Sequence, residues 1–366
     1  MEIIEIEFDK INVYLKENDS RNIIYGAGYN GKLLYQELKK RNISVIGFFD
    51  DDKTRWGENY CEKDIFSKEQ FLKFGQNANI IISSIYVGQI IERLQNAGLK
   101  KIFTVKNWLL QNNIEVLKLY KYKENIEYLN KLDNLIEYFN DDLSKQYFLL
   151  IKKTIQEQKA VSRISDLYCG EKQYFLNYFS GKLNGLVFVD AGSYTGDTIQ
   201  EMIRQNIEPG AVYCFEANQK NFSRLSQNKN IHQKIKNIYL ENYALWNTET
   251  ELKIKGENFN SKVDEEGEFS VKAITLDKYF ENIKIDFIKM DIEGAEQKAL
   301  SGGMKVIQRD RPILAISIYH TLEDIIDIPT FLSENLDKYS FFVRHHSYTY
   351  SETILYGIPR EKQNKI

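Results

Sequence analysis

Short apolar runs that end in a turn, each followed by an amphipathic stretch, recur along both halves of the chain. In the first half, Asn22–Tyr25 reads as a buried strand, residues 26–31 as a glycine-bearing turn, and Lys32–Arg41 as a helix with Leu33, Leu34 and Leu38 on one face. Ser44–Phe49 is the next strand and Asp50 closes it; Asn79–Ser84, a helix over 88–97 and Lys101–Val105 complete that unit. The same alternation returns with a strand ending at Asp190, a glycine-rich turn, a helix from Thr198 and a strand over Ala211–Glu216. Further strands are expected at Ile238–Leu240, Asp286–Asp291 and Pro312–His320, with Phe341–His346 and Thr353–Tyr356 as a closing antiparallel pair. Between the halves, Ile126, Leu129, Leu132, Leu135, Ile136 and Phe139 repeat at helical spacing.

The pattern predicts an α/β protein: a Rossmann-like domain over 1–106, a helical connector over 107–170, and a larger doubly wound domain over 171–366. A length of 366 residues suits two domains, and 43% hydrophobic residues supply ordinary cores. The net charge of −3 argues against bulk nucleic-acid binding. No apolar run is long enough to span a membrane, and the start lacks a signal-peptide pattern. The three cysteines, Cys61, Cys169 and Cys214, lie far apart and suit a reducing compartment, so a cytoplasmic location is expected. A homo-oligomer is left open.

The turns carry the chemistry. Gly192 and Gly196 let backbone approach a ligand, with helix-start N–H groups facing it. Asp190 would repel a phosphate and hold a cationic amino acid part. Glu216 closes the next strand, where an acid accepts hydrogen bonds from ribose hydroxyls. A nucleoside with an amino acid tail, S-adenosylmethionine, satisfies both. In the first half, Gly26, Gly28, Gly31 and Asp50 make a GxGxxG turn with its downstream acid, a nucleotide-binding pattern that does not by itself specify NAD.

Residues 171–360 resemble the FkbM family of S-adenosylmethionine-dependent O-methyltransferases. The matching blocks are Gln173–Phe175, Phe188–Thr198, Phe215–Asn218, Thr275–Asp277 and Ile288–Glu296; the chain departs from the commoner FEPxP at Phe215–Asn218. The resemblance implies a class I methyltransferase sheet. It places Asp190, Gly192 and Gly196 around the methionine part, Glu216 at the ribose, Asn242 and Ala244 at adenine, and Asp291 beside the reacting methyl, with Ser193, Thr198 and Asn218 as further cofactor-binding candidates. Asp277 is expected to cap a helix, and Glu296 is read as structural. The first half, through Tyr25–Gly28 and Gly47–Asp52, resembles the N-terminal domain of bacterial nucleotide-sugar-modifying enzymes, which implies a nucleotide-sugar substrate of the kind used for capsule or lipopolysaccharide.

A sugar hydroxyl needs help to lose its proton, and His is the usual base. Of four histidines, His320, His345 and His346 fall at the ends of late strands. Asp291, His320 and one of the pair, His346 for choice, are expected to form a catalytic cluster, either as a divalent metal site (Mg, Mn or Fe) or with His320 as general base. Tyr174, Arg344 and Glu352 are candidate substrate contacts. The competing readings are a methyltransferase of another small molecule and a bifunctional or binding protein whose N-terminal domain holds NAD.

Overall fold

The computed structural model describes residues 2–7, 11–15, 21–84, 87–106, 125–139, 141–157, 167–176, 183–255, 262–263, 266–267, 269–321, 323–347 and 351–363. The part of the expected connector over 107–124 and 158–166 lies outside these residues. The chain divides into two compact units, one of 1–120, 157–168 and 347–351, the other of 121–156, 169–346 and 352–366.

The first unit holds a seven-stranded sheet of β1 (Glu2–Glu7), β2 (Asn22–Tyr25), β3 (Val45–Phe49), β4 (Asn59–Tyr60), β5 (Lys63–Phe66), β6 (Asn79–Ile82) and β7 (Lys101–Lys106), in the order β1-β7-β6-β2-β3-β5-β4. All pairs are parallel except β4 with β5. The apolar pattern did not register β1, β4 or β5. Central β2 and β6 are buried throughout, as continuous apolar strands covered on both faces must be. The turn after β2 needs glycine at Gly31, where a Cβ would sit 2.0 Å from the Gly26 carbonyl oxygen.

In the second unit, β8 (Val187–Ala191), β9 (Ala211–Phe215) and β10 (Ile238–Glu241) belong to the main sheet. A small four-stranded sheet is made by β11 (Ala244–Leu245), β12 (Thr250–Lys255), β13 (Lys262–Val263) and β14 (Phe269–Ile274). The main sheet resumes with β15 (Phe287–Met290), β16 (Ile313–Ser317), β17 (Tyr339–His345) and β18 (Thr353–Pro359). Its order is β10-β9-β8-β15-β16-β18-β17, parallel up to β16 and antiparallel at β18 and β17. This is the doubly wound sheet with the closing antiparallel pair that the pattern predicts. The strand order reverses between β8 and β15, so a crevice opens at their carboxyl ends.

The helices Ile126–Tyr138 and Asp142–Glu157 group with this second unit. Asn125 caps the first by accepting from the Tyr128 N–H. The second covers edge strand β17: the Val343 N–H donates to Ser144 Oγ at 2.7 Å, and Arg344 pairs with Asp141 at 2.7 Å. Among the described residues no helix is long and apolar enough to cross a membrane.

Candidate active site

At the switch point, strand register sets Asp190 of β8 beside Lys289 of β15. Both are buried, and Lys289 Nζ lies 3.0 Å from Asp190 Oδ1 while donating to the carbonyls of Gly192 (2.6 Å) and Ala191 (3.2 Å). Burial works against the Lys289 ammonium, but Asp190, Asp291 and Asp197 outweigh it and raise its pKa. The expectation that Asp190 holds a ligand's amino group therefore meets a neighbour that supplies the cation already. A lone Lys inside the apolar run 287–290 was the signal for that partner.

After β8 the chain turns tightly. Gly192 has φ +79°, and a Cβ there would lie 1.8 Å from the Asp291 carbonyl oxygen, so only glycine lets the loops after β8 and β15 touch. Gly192 and Ser193 N–H groups donate to the Phe215 carbonyl, and Ser193 Oγ donates to the Asp190 carbonyl. Gly196, φ +90°, opens the helix Asp197–Arg204 without a side-chain cap, and Thr198 is buried in its first turn.

Glu216 follows β9 and is nearly buried. Its carboxylate accepts the N–H groups of Tyr194 and Asn218, each at 2.8 Å, and burial pushes its pKa up to about 7. Asn218 Oδ1 accepts from Lys220 and Asn221 N–H groups and so caps the helix Gln219–Ser226. Asn242 Nδ2 donates to the carbonyls of Glu216 and Ala217, and Ala244 is buried in β11.

Asp291, directly after β15, is the hub of a polar cluster. Tyr174 donates its hydroxyl to Oδ2 at 2.9 Å, and the Tyr319 hydroxyl lies 3.3 Å from Oδ1 and 3.4 Å from Glu352. Gln173 Nε2 donates to the other oxygen of Glu352 at 2.8 Å. His320, three residues past Ser317 at the end of adjacent β16, sets Nε2 3.1 Å from Asp291 and 3.7 Å from Glu293, and Nδ1 3.0 Å from Glu296. Glu296 in turn accepts the N–H groups of Ile292 and Gly294 and folds the turn. Burial disfavours the imidazolium, yet Glu296 and Asp291 outweigh it and hold the His320 pKa well above its usual value. Burial would raise Asp291, but His320, Lys289 and Tyr174 hold its carboxyl well below the usual range. Glu352 is pushed up to about 7 by burial and by Asp291. Tyr174, Glu293 and Glu352 all have left-handed backbone, with φ of 67°, 58° and 60°, the kind of strain that collects at functional sites.

The structure thus brings together Asp291, His320, Tyr174 and Glu352, and adds Gln173, Glu293, Glu296, Lys289 and Tyr319, to which the sequence reading gave no site role. The geometry corrects three expectations. His345 is buried and shares a 2.8 Å hydrogen bond with Thr353 Oγ1. His346 bonds the Tyr356 hydroxyl at 3.0 Å, and burial lowers its pKa to about 4. Alternation does send the pair apart, but neither ring joins Asp291. Arg344 is committed to Asp141 and to the face of Phe342, away from the cluster. Asp277 does not cap the helix Leu276–Tyr279, which Thr275 does; it accepts the Val306 N–H in the first turn of a different helix, Met304–Asp310.

In the first unit, Asp50 accepts from the N–H groups of Ala27 and Asp52. Arg55 donates to the Ala27 carbonyl and Tyr60 to the Gly28 carbonyl. The expected nucleotide-binding acid is therefore bound to the glycine turn itself.

Residues 190–341 match the family described as Methyltransferase FkbM domain, and residues 18–103 match the family described as C2185-like, N-terminal. No curated protein matches the chain in sequence. A methyltransferase FkbM structure from Methylobacillus flagellatus KT is similar over 96% of this chain and 94% of its own, at 21% identity and TM-score 0.54, a likeness of fold. An rRNA methylase from Streptococcus thermophilus is similar over 50% of this chain and 90% of its own, at 16% identity and TM-score 0.33. Fibrillarin from Aeropyrum pernix, solved with S-adenosyl-L-methionine, is similar over 48% and 67%, at 12% identity and TM-score 0.31. The crevice between β8 and β15 thus lies within a segment, residues 190–341, that matches the methyltransferase FkbM domain.

Proposed function

We propose that this chain is an S-adenosylmethionine-dependent O-methyltransferase acting on a sugar hydroxyl, the sugar being nucleotide-activated and destined for a surface polysaccharide. The observation that carries this reading is the placement of Glu216, the Gly192 turn and Asp291 at the carboxyl ends of three neighbouring parallel strands, within the segment that matches the methyltransferase family. Glu216 would accept from the ribose hydroxyls, while the Gly192 turn and the helix from Asp197 would face the methionine part. Gln173, Tyr174, Tyr319, Asp291 and Glu352 would line the acceptor end with hydroxyl, amide and carboxylate groups, a lining that suits a polyol.

In the reaction the acceptor oxygen attacks the methyl carbon, the carbon–sulfur bond breaks, and S-adenosylhomocysteine leaves with the electron pair on sulfur. The hydroxyl proton passes to a Glu352 carboxylate oxygen. His320 is poorly placed to take it, because its imidazole already lies between two carboxylates. The test is mass analysis of a panel of nucleotide sugars and free sugars incubated with protein and methyl donor. A gain of one methyl on a nucleotide sugar supports the reading. Glu352→Gln should lower kcat by about 10²–10⁴-fold, the usual range for a lost general base. A full-rate Glu352→Gln variant would remove Glu352 from the role, and methylation confined to a non-sugar acceptor would overturn the substrate assignment.

A further inference from the structure

The cluster around His320 contains more ligand atoms than proton transfer requires. The His320 side chain is only 7% exposed, and carboxylate oxygens stand 3.0 and 3.1 Å from its two nitrogens. Neither nitrogen nevertheless makes a hydrogen bond of normal angle. Two ligands at neighbouring corners of one ion, each about 2.1 Å from it, lie about 3 Å apart, with the second ligand off the axis of the first nitrogen's lone pair. That spacing and misalignment are what the Nε2 side of His320 shows. One ligand atom from each of Asp291, Glu296 and His320 lies within 4.8 Å of the others.

An imidazole offers one nitrogen to an ion, so the two flanking acids have different tasks. On the Nδ1 side, both oxygens of Glu296 already accept amide hydrogens from the turn 292–294. On the Nε2 side, Asp291 at 3.1 Å is joined by Glu293 at 3.7 Å, and the Glu293 side chain is 37% exposed. We propose that Asp291, Glu293 and the Nε2 of His320 bind a divalent first-row cation such as Mn²⁺, with Glu296 behind Nδ1 as a positioning residue that fixes the ring. A mixed set of two carboxylates and one imidazole suits such an ion, and a carboxylate on the far ring nitrogen is the usual way a metal-binding His is oriented. This ligand set includes Glu293 and excludes His345 and His346. The inference rests on reading the cluster as the acceptor end of the methyl-transfer site. The ion takes the position that a proton on Nε2 otherwise holds.

The test uses the full chain, stripped with a chelator and titrated with Mn²⁺ alone, the free ion being read by electron paramagnetic resonance. One Mn²⁺ should bind per chain. His320→Ala should lose it, Glu296→Gln should weaken it by roughly 10–100-fold, and Glu251→Gln, an exposed acid on β12, should bind as the wild type does. Thermal melting of each variant shows whether it is folded; if His320→Ala is not, Glu293→Gln carries the same test and should bind at least tenfold more weakly. Absence of uptake by the wild type, or equal uptake by folded His320→Ala or Glu293→Gln, would overturn the site. Calorimetry with S-adenosylhomocysteine on the same stripped sample reads the methyl-transfer assignment separately: Mn²⁺ bound without the homocysteine nucleoside leaves the metal site standing and removes that assignment, and the reverse result removes the metal site alone.

Discussion

Lys289 shows how a single side chain decides what its neighbours can do. Its ammonium sits inside the sheet against Asp190, with the backbone carbonyls of Ala191 and Gly192 completing its donors. Removing one partner of a buried ion pair leaves the other charge uncompensated, at a cost of about 3–5 kcal/mol. Lys289→Met should therefore lose about that much stability in urea denaturation, and the double change with Asp190→Asn should recover most of it. Equal losses in the single and double variants would show that the pair is not coupled. Glu216 supplies a pH test. Its folded pKa, pushed to about 7 by burial, lies above the 4.5 of an ordinary Glu. The folded chain thus keeps a proton in that window that the unfolded chain has released, and this group's contribution to stability falls as pH rises from 4.5 towards 7. Ribose hydroxyls need the ionised carboxylate as acceptor, so S-adenosylhomocysteine should bind more tightly at about pH 8 than at about pH 6 and release protons below about pH 7. Calorimetry in buffers of different ionisation enthalpy measures that release, and pH-independent binding without release would remove Glu216 from the ribose. At this scale the sequence was partly legible. Asp190, Glu216 and Asp291 stand out because acids ending apolar runs are conspicuous. Their partners do not, because a contact between Lys289 and Asp190, almost a hundred residues apart, exists only once the strands are registered.

The elements follow the hydrophobic pattern closely where one period dominates. Central strands β8, β9, β15 and β16 are mostly apolar runs that also carry Asp190, Lys289 and Ser317, and they lie within a few residues of their expected places, as does the closing pair β17 and β18. The short β4 and β5 lack such a run, and their pairing depends on a neighbouring strand. The turns are where geometry exceeds what a glycine count conveys. Gly192 is required by the Asp291 carbonyl 1.8 Å from its would-be Cβ and by a φ of +79°. Gly192→Ala should cost at least about 1–3 kcal/mol from backbone strain alone, and it should weaken cofactor binding by parting the two loops. A melting temperature and an S-adenosylhomocysteine affinity both equal to wild type would contradict this. The turn 291–296 is likewise built by Glu296, whose carboxylate holds two amides and stands 3.0 Å from His320 Nδ1; its structural reading holds, and its place beside His320 is not visible in spacing alone.

Among the described residues, two seven-stranded sheets of different order sit in one chain, and each uses a glycine turn after a strand. The resemblance of these turns conceals a difference. In the first unit Asp50 accepts the Ala27 amide and so ties the glycine turn to its own acid. In the second unit Glu216 holds the Tyr194 amide at the carboxyl end of its strand, beside the crevice at the switch point. The three late histidines converge in sequence but not in space, because β18 lies between β16 and β17 and separates His345 from His320 by a full strand. Strand order of that kind is not encoded in local periodicity. Calorimetric titration of the full chain decides whether the second unit holds S-adenosylmethionine. One S-adenosylmethionine should bind per chain, folded Glu216→Ala should bind it at least tenfold more weakly, and NAD should give no heat of binding. Saturable NAD binding with none by S-adenosylmethionine would contradict that assignment.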